Sequence, residues 1–278
     1  MRYFISLITL IITLSISVNA VAGEILRYNF PVGQTLPYTV SVNSDLKLVD
    51  LGDLAKLLNI TKIKHNVEMD ADLTATSIAR NGHYILRVAV TRVSMVMIIG
   101  DSILTDNGEK WGGVKPGTVY EIEITDRGQI VGLNRNTQKL PQIIQVMQKL
   151  FPIMPETAIS PGYQWTDASS FEAEFIPKTP QAINSSIDYM FSGLSENYQN
   201  SCDINYRATG ASSTVNNFSF NGDGLLTFNK AKGQLTRNFG KFAIDARIDF
   251  SVLNMPANWG STPVHIDSDI KVKLKDAQ

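Results

Sequence analysis

The sequence predicts a mainly β protein built on a long, curved antiparallel sheet, half-barrel-like, with one or two short helices packed on its concave side. Three observations predict it. Apolar and polar residues alternate with period two through most of the chain, and the clearest runs are about twice the usual strand length of five or six residues. Each run also has a single apolar face, which suits a strongly curved antiparallel sheet wrapped round a core or cavity.

The chain opens on Met1-Arg2-Tyr3, an apolar run from Phe4 to Val18, and the small residues Ala20-Val21-Ala22. A basic start, an apolar stretch and small residues at a cleavage site predict a secretory signal peptide over residues 1–22, cleaved after Ala22 or alternatively after Ala20. The expected location is outside the cytoplasm, a bacterial periplasm first and the extracellular space second. No cysteine follows the apolar run to carry a lipid. No later run approaches the roughly 20 apolar residues of a membrane span, so the mature chain is expected to contain none.

Strands are predicted near 25–30 and 36–42, followed by a short helix, Leu51 to Leu58, whose Leu51, Leu54, Ala55 and Leu58 share a face. Next comes a clear alternating run: Val67, Met69, Ala71, Leu73 and Ala75 are apolar, with Glu68, Asp70, Asp72 and Thr74 between them. Further strands are expected near 84–98 and 118–125. A second helix is predicted from Leu140 to Phe151, carrying Ile143, Ile144, Met147 and Leu150 on one face, with Pro141 in its first turn and Pro152 at its stop.

Beyond the proline-marked segment Pro152 to Pro161, strands are expected near 163–176, 184–192, 202–208 and 225–230. Two long runs close the chain. Phe242, Ile244, Ala246, Ile248, Phe250 and Val252 form one apolar face; Val264, Ile266, Ile270, Val272 and Leu274, with Ser268 among them, form the other.

Two stretches echo each other. Ile122 to Val131 and Leu226 to Thr236 each read strand, polar turn, Gly-Gln, strand, with Gly128 and Gly233 supplying the positive φ of a hairpin turn. Gly33 and Gly162 each lead into an aromatic strand. Two related β-rich halves, 23–151 and 152–278, are one reading of this echo, and a single continuous domain is the other.

Composition narrows the partners. A formal charge of −1 favours neither nucleic acid nor an anionic membrane surface. Cys202 is the sole cysteine, so no disulfide forms within the chain. Its neighbours in Ser201-Cys202-Asp203 supply no cation to lower its pKa, and a packed strand thiol is expected.

Nucleophile elbows, zinc-protease helices and phosphate-cradling glycine loops do not occur in the sequence. No catalytic residue, metal or cofactor is therefore assigned. His65 shares parity with Val67 and reads as a core histidine. His83 has no distinctive setting, and His265 falls on a wet face. His265, Asp267 and Asp269 share that face at about 7 Å intervals. Glu68, Asp70 and Asp72 read as a solvated row, with calcium as the minority alternative. The candidate ligand-binding residues are Trp111, Met147, Trp165 and Trp259: the tryptophans lie beside glycine or loop residues, where a ring serves either a cavity mouth or a strand-end anchor. Met95, Met97 and Met154 would suit an adaptable apolar pocket.

The opening Leu26-Arg27-Tyr28-Asn29-Phe30-Pro31-Val32-Gly33, the hairpin 125–130, Phe151-Pro152-Ile153-Met154-Pro155-Glu156, Pro161-Gly162-Tyr163-Gln164-Trp165 and the stretch 224–235 resemble a family of exported bacterial proteins known as a domain of unknown function. In architecture alone the chain resembles periplasmic half-barrels that carry lipids or lipoproteins. That resemblance implies an apolar ligand. The expected function is an exported soluble envelope protein binding a lipid or other apolar molecule. The alternative is a structural or protein-interaction module of the envelope.

Overall fold

The computed structural model describes residues 23–49, 62–107, 115–133, 151–176, 179–212, 218–249 and 261–275. Strands hold 72% of these, so the protein is mainly β, and no helix occurs among them. The predicted helix 51–58 lies outside the described residues, and so does the predicted helix 140–151 except for Phe151, which is not helical.

Twelve strands form one open sheet: β1 (Thr35–Leu48), β2 (Lys62–Ile78), β3 (Tyr84–Ile99), β4 (Ser102–Asp106), β5 (Val119–Ile124), β6 (Ile130–Leu133), β7 (Gln164–Ile176), β8 (Thr179–Leu194), β9 (Ser201–Ala211), β10 (Ser219–Asn229), β11 (Gln234–Asp249) and β12 (Ser261–Leu274). Their order is β6-β5-β3-β2-β1-β12-β11-β10-β9-β8-β7, with β4 paired to β3 off this path. Every pairing is antiparallel. The first and last strands meet at the middle, in register from Tyr38↔Leu274 to Leu48↔Val264. One ladder thus joins two meanders, and the main core cluster draws residues from both.

Alternation decides which face is packed. In β2, Val67, Met69, Ala71, Leu73 and Ala75 are all at most 7% exposed, as their parity requires. In β11, Phe242, Ile244 and Ala246 have the same parity but are only half-buried. The difference lies in what stands in front of them. At the end of the sheet holding Leu36, Tyr38 and Leu73, the apolar face is covered by chain; at the other end it borders a cavity.

The covering chain includes the segment expected as the first strand. Leu26, Tyr28 and Phe30 do alternate inward, each at most 3% exposed, but residues 25–30 are no strand. Their amides are spent on hairpin turns instead of a ladder: Tyr28 N–H donates to the Asp126 carbonyl (2.6 Å) and Asn29 N–H to that of Gly233 (2.8 Å). Glu24 forms an isolated bridge with Ile159. This strap and residues 151–160 lie together over the core. Tyr28 stacks on Phe30 and meets Phe228 edge-on at 5.3 Å, while Phe151 packs against Tyr28 and Tyr38.

Arginines fasten the two segments. Arg27 donates to the carbonyls of Pro155 and Glu156, both at 2.7 Å. Arg127 donates to the Met154 carbonyl at 2.7 Å and pairs with Glu156 at 2.5 Å. The carbonyls of the buried Met154 and Pro155, which would otherwise lose their water, are thereby satisfied.

On the opposite face the acidic row of β2 is less solvated than its sequence suggests. Asp70 is only 8% exposed, lying beneath Arg92 (2.8 Å) and Lys275 (3.0 Å) and accepting a hydrogen bond from Thr39 at 2.8 Å. Burial opposes its charge, but the bonds from Arg92, Thr39 and Lys275 outweigh this and hold its pKa down to about 2. A depressed carboxylate stabilises the fold above its unfolded pKa, near 3.9, and loses that contribution as pH falls through the folded value. Asp70→Asn is expected to cost about 1–2 kcal/mol at pH 7, after discounting for the half-exposed Arg92. Urea titrations of both proteins should show the gap closing between about pH 4 and pH 2; a gap constant with pH would refute the assignment.

Candidate functional site

Beyond the strap, the apolar face encloses a cavity of about 490 Å³ lined from eight strands: β1, β2, β3 and β8 to β12. Such a volume falls within the roughly 300–1,000 Å³ usual for small-molecule sites. Its two walls differ chemically. The N-terminal meander supplies Val42, Leu46, Ile63, Val67 and Met97; the C-terminal one supplies Tyr189, Tyr206, Phe218, Phe220 and Phe242. The aromatic wall continues outside the cavity to Trp165, which stacks on Tyr189 at 5.1 Å.

Glycines set the height of that wall. Phe220 faces Gly210 across β9–β10, Phe242 faces Gly222 across β10–β11, and Tyr206 faces Gly224 across β9–β10. A Cβ at Gly210 would strike the Phe220 ring, one at Gly222 the Phe242 ring, and one at Gly224 or Gly240 the Tyr206 ring. Each ring therefore lies down over a neighbouring strand, which only a residue without a side chain permits. Space that upright rings would fill remains open.

Among the described residues, no Asp, Glu, Lys or Arg lines the cavity. Its polar groups are the hydroxyls of Ser44, Ser185, Ser268, Tyr189 and Tyr206, the His65 imidazole and the Asn238 amide. Tyr206 donates to Asn238 Oδ1 at 3.1 Å. Burial raises the pKa of Tyr189 and Tyr206 and lowers that of His65, so all three are neutral near pH 7. The arrangement can hold hydrocarbon and form uncharged hydrogen bonds.

Of the residues expected to bind ligand, Trp111, Met147 and Trp259 lie outside the described residues. Trp165 is half-buried on β7, and its indole N–H donates to the Ile153 carbonyl at 3.0 Å. It does not line the cavity but anchors the 151–160 segment. Met97 lines the cavity, whereas Met95 and Met154 are core residues.

The remaining candidates have other employment. Cys202 is fully buried, and burial pushes its thiol up to about 12. His83 contacts Glu123 at 2.7 Å. His265 bridges Asp245 (2.7 Å) and Asp267 (3.1 Å) on the outer face, and Lys47 reaches Asp267 at 2.8 Å. Among the described residues, no group of three or more His, Cys, Asp or Glu is placed to hold a metal ion.

Sequence reasoning passed over Ser44, Phe220, Phe242 and Tyr206. The available signal was glycine at apolar parity: Gly222, Gly224 and Gly240 occupy inward positions of β10 and β11 where a side chain would be expected. Among known proteins, no family model and no curated sequence matches this chain.

Proposed function

We propose that this protein is an exported envelope protein that holds a lipid or another apolar ligand in the cavity of its sheet. The observation that carries the reading is the cavity itself: about 490 Å³, walled almost wholly by apolar side chains and, among the described residues, by no ionisable side chain except His65 and the tyrosines. The sheet is taken to curl into a half-barrel, because strands near its two edges border one space and because bulges interrupt β2–β3, β8–β9 and β10–β11, where a strand bends and twists more strongly. The strap stops one end of the cavity.

Energetics favour a chain-like occupant. Burying about fourteen methylenes yields roughly 11 kcal/mol at about 0.8 each. Immobilisation costs of at least about 4 kcal/mol set the tightest dissociation constant from this term at about 10 μM. Export is part of the proposal, with residues 1–22 removed as a signal peptide and the periplasm as first destination. The likeness to periplasmic half-barrel lipid carriers is one of architecture. Two related halves also fit this reading: Gly33 and Gly162 precede β1 and β7, Gly128 and Gly233 turn β5–β6 and β10–β11, and all four have positive φ.

The test is protein purified from its native compartment, extracted with organic solvent and examined by mass spectrometry. Lipid near one mole per mole is expected. Protein that arrives empty and also fails to bind N-phenyl-1-naphthylamine, an uncharged apolar fluorophore, overturns the proposal.

A further inference from the structure

One transverse row of the cavity is polar. Ser44 on β1 stands opposite His65 on β2 and opposite Ser268 on β12, and all three line the cavity. The Ser44 and Ser268 hydroxyl oxygens are 2.7 Å apart. The flanking inward rows are hydrocarbon: Ile63, Leu46 and Ile266 on one side, Val67, Val42 and Ile270 on the other. A polar belt three strands wide therefore interrupts the hydrocarbon wall formed by β1, β2 and β12.

Two serine hydroxyls hold two protons, and the bond between them uses one. The second proton and the outer lone pairs can serve a third partner. Beside them stands the His65 imidazole, kept neutral by burial, with one protonated ring nitrogen and one acceptor nitrogen. Among the described residues nothing charged lines this space, so a ligand carboxylate or phosphate at this depth would be buried without a counter-ion from them, at heavy cost. An uncharged oxygen incurs no such penalty when it is hydrogen-bonded.

We infer that the Ser44–Ser268 hydroxyl pair, in the polar row beside His65, receives an uncharged ligand oxygen carried between two hydrocarbon segments, as in an ester-linked or hydroxylated acyl chain. This rests on the cavity being the binding site. It adds a selection rule: among ligands of equal length, one bearing a mid-chain ester or hydroxyl outcompetes plain hydrocarbon.

The test displaces N-phenyl-1-naphthylamine from the whole mature protein with dodecane, dodecan-6-ol and pentyl hexanoate. One neutral hydrogen bond corresponds to roughly three- to tenfold in affinity, so the alcohol, the ester or both should outcompete dodecane by about that ratio. A stronger ester identifies an acceptor as the required group; a stronger alcohol identifies a donor. In Ser44→Ala/Ser268→Ala, and more weakly in Ser268→Ala alone, the ratio should fall toward one. Equal binding of all three by the wild type, or a ratio that survives in the double variant, overturns this inference and leaves the cavity reading standing. A fluorophore that never binds removes both.

Discussion

Gly233→Ala should lower the stability of the fold by about 2–5 kcal/mol and its melting temperature by roughly 5–15 °C. Two costs combine. Gly233 has φ +64°, and a residue with a Cβ adopts the left-handed region at about 1–2 kcal/mol. The added Cβ would also lie 2.7 Å from the backbone nitrogen of Asn29 and 2.8 Å from the Arg27 carbonyl. Neither is the loose end of a side chain, so the strap itself must move. Its displacement disturbs the Asn29 N–H bond to the Gly233 carbonyl and the packing of Tyr28 against Phe228.

Gly82 provides the control. Its φ is +83°, yet a Cβ there meets nothing within 4 Å. Gly82→Ala should show the backbone cost alone, about 1–2 kcal/mol. Calorimetric melts of the two variants side by side separate the terms: equal losses would mean that the strap does not bear on the β10–β11 turn.

The same contrast explains how far the fold was legible from the sequence. Alternation reports which face of a strand is apolar, and it located Val67 to Ala75 on β2, Phe242, Ile244 and Ala246 on β11, and Val264 to Leu274 on β12; Phe250 and Val252 lie outside the described residues. It cannot report what faces them, so Met69, fully buried, and Ile244, half-buried on the cavity wall, look alike in the sequence. Nor does it distinguish a strand from extended chain: Leu26, Tyr28 and Phe30 alternate perfectly, and only the destination of their amides makes them a strap. The cavity was foreshadowed by the length and one-sidedness of the strands. Its aromatic wall was not, because the rings owe their posture to glycines on neighbouring strands, a relation that exists only once register is known. Trp165 was singled out as a large ring beside a turn, a property that suits an anchor as well as a ligand contact.

Two valines on one strand give the sharpest test of the boundary between filled core and open cavity. Val40 and Val42 are both on β1 and share its inward face. Val40 is 3% exposed and packs between Met69 and Val272 in the filled end. Val42, one inward position along, stands between Val67 and Ile270 and borders the cavity. Val40→Trp forces a large ring into close-packed chain and should cost about 3 kcal/mol or more, a fall of roughly 6–12 °C in melting temperature. Val42→Trp meets empty volume instead, where the ring gains dispersion contacts that the cavity lacked. Its melting temperature should stay within about 3 °C of the wild type or rise, at roughly 2–4 °C per kcal/mol. The ring occupies the space a ligand needs, so affinity for N-phenyl-1-naphthylamine should fall at least about tenfold, the equivalent of 1.4 kcal/mol. Both variants destabilised alike would mean that the face is packed throughout. Val42→Trp binding as the wild type does would remove the cavity from consideration as the ligand site, because no apolar chain and indole ring can share that wall at packing density.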